Sequence, residues 1–119
     1  DDFGYMAVAQ NQAGDTLRAV YLQRRTAQWG ALTQADCTVG GAEEPLTAAL
    51  LGGTDSTLVF GWAEASTSAQ LRLSYEGGAQ TQIVYVSGPY SFLLSGSPRV
   101  EKLELLQDGT VIAAVDFDR

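Results

Sequence analysis

Apolar and polar residues alternate with a period of two along most of this chain. The clearest case is SAQLRLSYE, residues 68–76, where Leu71, Leu73 and Tyr75 share one face and Arg72, Ser74 and Glu76 the other. That period belongs to a pleated strand with one dry side. STLVFGWAE, 56–64, sets Leu58, Phe60 and Trp62 on one face, and QTQIVYVS, 80–87, and YSFLLS, 90–95, continue the pattern. Gly77-Gly78 is read as the turn of a hairpin between 68–76 and 80–87, and Gly88-Pro89 as the next turn. Upstream, FGYMAVAQ (3–10) and LRAVYLQRR (17–25) flank the turn cluster NQAGDT and predict a hairpin, with a further strand at 29–33.

The last strand pair surrounds Asp108-Gly109, a strong hairpin signal between two apolar runs. A two-residue turn would set Glu101 opposite Asp116, like charge against like charge. A three-residue loop of Gln107, Asp108 and a left-handed Gly109 avoids this and puts Leu105 opposite Val111. The expected register is therefore the three-residue one. Leu103, Leu105, Val111, Ala113, Val115 and Phe117 then form the dry face, and Lys102 lies diagonal to Asp116.

One segment breaks the alternation. In ADCTVGGAEEPLTAALLGG, residues 35–53, Glu43 and Glu44 precede Pro45, and Gly52-Gly53 follow the apolar stretch. Acid and proline suit a first helical turn, and glycine suits a stop. A short helix over 44–51 is expected, or a loop that packs Leu46, Leu50 and Leu51 inward. The whole pattern predicts an all-β chain of eight or nine short antiparallel strands, a β-sandwich, with residues 1–119 as one domain.

Composition narrows the function. The chain has 119 residues, 45% of them hydrophobic, which suits one domain with its own core. No apolar run approaches the roughly 18 residues of a membrane span. No leader is visible and the first residue is not Met, so the chain is expected to be a processed product or cloned fragment without its leader or anchor. The net charge of −7 excludes the cationic surplus that phosphate backbones demand, so no nucleic-acid partner is expected.

The chain contains no histidine, which removes Ser-His-Asp and Cys-His catalysis and the usual imidazole zinc sites. Cys37 is the one cysteine, read as a small buried hydrophobe. Carboxylates are the remaining catalytic candidates, with Glu43-Glu44 and Asp116/Asp118 the nearest pairs. They are better read as a helix start and a charged strand edge. Neither GTDST (53–57) nor QDGT (107–110) has the spacing of a calcium loop, and no phosphate loop or GxSxG elbow occurs. No catalytic residue, metal or cofactor is assigned. Trp62 shares the Leu58 and Phe60 face and reads as core, whereas Trp29, in the polar TAQWGAL, suits exposure. Trp29 and Tyr90 are the candidate binding residues.

TLVFGWAE, QLRLSYEGG, QIVYVSGPYSFLL and VEKLELLQDGTVI, within residues 57–118, together resemble the immunoglobulin-like β-sandwich modules of secreted and cell-surface bacterial proteins. The resemblance rests on a glycine between aromatics (Phe60-Gly61-Trp62), a strand before a Gly turn, the aromatic strand Tyr90-Ser91-Phe92 and an acidic-Gly hairpin tip. The chain departs from it in having no cysteine pair and in its first 55 residues. The resemblance implies a place outside the cytoplasmic membrane and carries over no site residues. The expected function is a non-catalytic, extracytoplasmic interaction or spacer module of a bacterial secreted or surface-anchored protein. The alternative is a carbohydrate- or peptide-binding module using exposed aromatics, so the partner classes are protein and carbohydrate.

Overall fold

The structure, a computed structural model, describes residues 3–25, 28–52, 56–65 and 68–117; for 3–6, 22–25 and 28–33 it describes the backbone. These residues build ten strands and no helix: β1 (Phe3–Gln10), β2 (Thr16–Arg25), β3 (Gln28–Thr38), β4 (Ala49–Gly52), β5 (Ser56–Ala63), β6 (Ala69–Tyr75), β7 (Gly78–Val84), β8 (Gly88–Ser95), β9 (Val100–Gln107) and β10 (Thr110–Asp116). They form three antiparallel sheets. Sheet I has the order β1-β2-β3, sheet II β4-β5-β8 and sheet III β10-β9-β6-β7.

Local turns fix most pairings. Between β1 and β2 the Asn11 side-chain oxygen accepts the N–H of Asp15 at 3.0 Å and of Thr16 at 3.2 Å. This is the asparagine turn chemistry that the NQAGDT cluster offers. Two non-local pairings, β5 with β8 and β6 with β9, complete sheets II and III.

Side-chain alternation then sorts the core. In β8, Tyr90, Phe92 and Leu94 are buried while Ser91, Leu93 and Ser95 are exposed. The buried set packs with Leu71 and Leu73 of β6 and Leu103 and Leu105 of β9, so sheets II and III share one cluster. Fully burying each such leucine contributes roughly 1.5–3 kcal/mol. β5 is buried on both faces. Val59 and Ala63 enter that cluster, and Leu58 and Phe60 enter a second one with Leu17, Ala19, Tyr21 and Cys37 of sheet I. Covering on both sides is why β5 reads as an almost continuous apolar run.

Three expectations are corrected. The helix over 44–51 is absent. Glu44 instead closes a tight turn with Gly41, exchanging backbone bonds of 3.0 and 3.1 Å, and the chain from Leu46 to Gly52 runs along β5. Leu46 faces the first cluster and Leu51 the second, as a five-residue separation requires of an extended chain. Tertiary pairing with β5 outweighs a helical preference that rests on two acids and a proline. Second, the strands number ten rather than eight or nine, because this segment supplies β4.

Third, the last hairpin turns on two residues. Asp108 (φ 53°) and Gly109 (φ 79°) both occupy the left-handed region, as a type I′ turn demands. Thr110 pairs with Gln107 and Val111 with Leu106; the register then shifts past Ile112, so Ala113 meets Leu105. This bulge sets Asp116 directly opposite Lys102 and avoids the Glu101–Asp116 clash by a different device from the one expected. Val111 is consequently exposed rather than part of the dry face, whereas Ala113, Val115 and Phe117 do pack on the core.

Candidate functional site

Of the two candidate binding residues, Trp29 lies on β3 opposite Arg24, and its side chain is outside the described residues. Tyr90 belongs to a different sheet and is buried, 7% exposed, with its ring edge-to-face against Phe92 at a centroid distance of 6.0 Å. Its hydroxyl donates to the Thr47 carbonyl at 2.7 Å. Burial, with the Cys37 thiol nearby, pushes the phenol well above its ordinary value. It borders a crevice of about 340 Å³ with Val8, Leu17, Gln82, Pro89 and Ser91, but offers that crevice little ring surface.

The same neighbourhood explains Gly61. Thr47 pairs with Trp62 in an unusual way. Its N–H donates to the Trp62 carbonyl at 2.9 Å, while the Trp62 N–H donates to the Thr47 Oγ1 at 3.0 Å instead of the Thr47 carbonyl. The Thr47 hydroxyl in turn donates to the Thr38 carbonyl at 2.7 Å. The freed carbonyl turns across Gly61 to the Tyr90 hydroxyl, and a Cβ on Gly61 would overlap it. Strands β3, β5 and β8 are therefore fastened at one threonine. Trp62 flanks this junction half-buried, its indole N–H bonded to Glu64 at 2.9 Å.

Several of the other ionisable groups are engaged structurally. Arg18 and Asp36, directly opposite on β2 and β3, form a two-point ion pair of 2.8 and 3.0 Å, which holds the Asp36 carboxyl below its ordinary value. Arg72 and Glu104 pair at 2.7 Å on the outer face of sheet III, beside Lys102 and Asp116. Glu43 and Glu44 are exposed at the Gly41 turn, and Asp118 lies outside the described residues. Cys37 is buried and its thiol is pushed up by that burial, which opposes a nucleophilic thiolate. Among the described residues no group of three or more metal-binding side chains converges, and no helix is long and apolar enough to cross a membrane.

A different surface stands out. Residues 77–98 contain no Asp, Glu, Lys or Arg, the longest uncharged run in a chain of net charge −7. The run forms β7, the edge of sheet III, and β8, the edge of sheet II. The two edges are clipped together where Gln82 Nε2 donates to Ser91 O at 2.6 Å. The four most exposed large apolar side chains of the described residues all fall here: Ile83 (53%), Leu93 (62%), Tyr85 (74%) and Val86 (74%). Ile83 lies opposite Gln70 on the outer face of sheet III, and Leu93 lies opposite Leu58 on the face of β8 turned from the cluster that sheets II and III share.

Soluble proteins blunt open strand edges with charge, proline or bulges. The opposite edge, β10, follows this rule, with a bulge at Ile112 and Asp116 near its end. β7 pairs with β6 without a register shift and carries neither charge nor proline. An edge left unprotected, beside exposed apolar side chains, suits the addition of another strand. The charge-free run was the sequence signal for this surface; attention to single aromatics missed it.

Comparison with protein-family models, curated proteins and solved structures finds no match.

Proposed function

We propose that this chain is a non-catalytic interaction module, one immunoglobulin-like β-sandwich domain working outside the cytoplasmic membrane in a bacterial secreted or surface-anchored protein. The uncharged β7–β8 side is its contact surface. One observation carries this reading: among the described residues, the four most exposed large apolar side chains fall on or between two adjoining strand edges that carry no charge. A pure spacer has no use for such a side, since an unprotected edge invites aggregation. Shared packing of sheets II and III supports the sandwich architecture. The resemblance of residues 57–118 to surface modules supports the compartment.

Carbene footprinting of the parent protein on intact cells, set against the isolated chain, tests this reading. The expected result is labelling of Tyr85, Val86 and Leu93 in the isolated chain and several-fold protection on the cell. Equal labelling in both states would contradict a contact role for this side. Failure of added protease to reach the chain on intact cells, with cleavage after lysis, would contradict the compartment.

A further inference from the structure

We infer that the partner strand on β7 is supplied by a second copy of this chain, paired antiparallel about a two-fold axis through Thr81. The inference rests on the interaction reading of the same edge. Three observations support it.

The first is the direction of the backbone groups. Tyr75 and Gly78 close a two-residue turn, so they exchange ladder hydrogen bonds, and the exchange recurs at every second pair: Leu73 with Gln80, Leu71 with Gln82 and Ala69 with Val84. The N–H and C=O groups of Ala79, Thr81 and Ile83 therefore point away from β6. These three residues are evenly spaced about Thr81. A two-fold axis at Thr81 sets Thr81 opposite its copy and Ala79 opposite the copy's Ile83, which uses all three outward N–H and all three outward C=O groups of each chain.

The second is side-chain complementarity in that register. On the outer face the cross-strand pairs are Thr with Thr and Ala with Ile. On the inner face Gln80 meets the copy's Gln82. Threonine pairs hydrogen-bond across strands, and none of these contacts sets like charges together.

The third is electrostatic. Two chains of net charge −7 repel each other, and residues 77–98 form the stretch through which two copies meet with no charged side chain of their own between them. A single strand pair buries less than the 1,200 Å² or so of a stable interface, so the dimer is weak and reversible as an isolated chain. It becomes effective when copies are held close together on a surface.

The test is analytical ultracentrifugation of the isolated chain over a concentration series, with two variants. The wild type is expected to move from monomer toward dimer at high micromolar concentration, more readily at about 0.15 M salt than at 0.01 M, where charges are less screened. Thr81→Glu places a carboxylate beside Arg72, its neighbour on β6, and so preserves the monomer, but opposes two carboxylates across the axis. It is expected to weaken the dimer at least tenfold with an unchanged circular dichroism spectrum. In a Cys37→Ser background, Thr81→Cys is expected to cross-link on oxidation, because facing Cα atoms about 5.5 Å apart suit a disulfide. Ala79→Cys, with its copy about 14 Å away along the strand, is expected not to cross-link.

A wild-type chain that stays monomeric at millimolar concentration, or a dimer indifferent to Thr81→Glu, would overturn the second-copy proposal. If footprinting on cells still showed the β7–β8 side protected, the contact role would stand and a different protein would be the occupant. If both experiments failed, both readings would fall.

Discussion

Tyr90 reaches over Gly61 to donate its hydroxyl to the Thr47 carbonyl at 2.7 Å, while Thr47 Oγ1 takes the place that carbonyl would hold in the ladder to Trp62. The bond runs from β8 across Gly61 of β5 to the segment that leads into β4. Tyr90→Phe leaves a buried carbonyl unsatisfied and is expected to destabilise by about 1–3 kcal/mol, read as a lower urea midpoint with an unchanged slope. Gly61→Ala places a methyl against the same carbonyl and is expected to cost more than Tyr90→Phe. The reverse order would mean that the segment around Thr47 shifts freely.

The alternation in β8 predicts a sharp contrast between adjacent leucines. Leu94 is 2% exposed and Leu93 62%. Leu94→Ala is expected to cost about 2–5 kcal/mol in chemical denaturation. Leu93→Ala is expected to stay within about 0.5 kcal/mol of wild type. Similar losses at both positions would contradict the register of β5 with β8.

Much of this order was legible in the sequence, and the limits have physical causes. The strands at 68–76 and 100–107 announced themselves because each has a buried face long enough to impose a period, and the one at 56–64 because burial on both faces makes it an almost continuous apolar run. The segment PLTAALL did not, because in so short an alanine-rich run the leucines suit a helix as well as a strand, and pairing with β5 divides them, with Leu46 and Leu51 on opposite faces and Leu50 exposed. Gly61 was visible as a glycine between aromatics, but its reason lies fourteen residues upstream at Thr47. Tyr90 was singled out as a ligand-facing aromatic, whereas residue type alone could not reveal that its hydroxyl was committed. At the hairpin tip the charge argument was sound. The bulge that satisfies it sits at Ile112, which no turn propensity marks.

Cys37 provides a clock for opening. It is 8% exposed, and its thiol is raised above the ordinary 9.0 chiefly by burial, so neither access nor thiolate fraction favours attack. In the native protein its reaction with an aromatic disulfide reagent is expected to be slow and to accelerate in step with the denaturant unfolding curve. Rapid stoichiometric reaction in buffer would contradict the packing of β2 and β3 on sheet II.

Acid stability follows from Asp36 and Asp15. Hydrogen bonding from Arg18 lowers the first below its ordinary 3.8, and bonds from Asn11 and Thr16 lower the second. A carboxyl with a depressed folded-state value contributes stability above its unfolded value and loses it as pH falls through the folded one. Thermal midpoints are therefore expected to fall below about pH 4, with a smaller fall in Asp36→Asn because that variant has no proton to take up. Parallel curves for the two proteins would show that the Arg18–Asp36 pair contributes nothing.

Residue-resolved amide exchange along β7, measured by NMR on dilute and concentrated samples, tests the central claim of an open, strand-accepting edge most directly. At low concentration Gln80, Gln82 and Val84 are expected to exchange slowly and Ala79, Thr81 and Ile83 quickly, and at high concentration the three fast amides should slow. Protection of all six in dilute solution would mean that the edge is already covered, and would contradict the account.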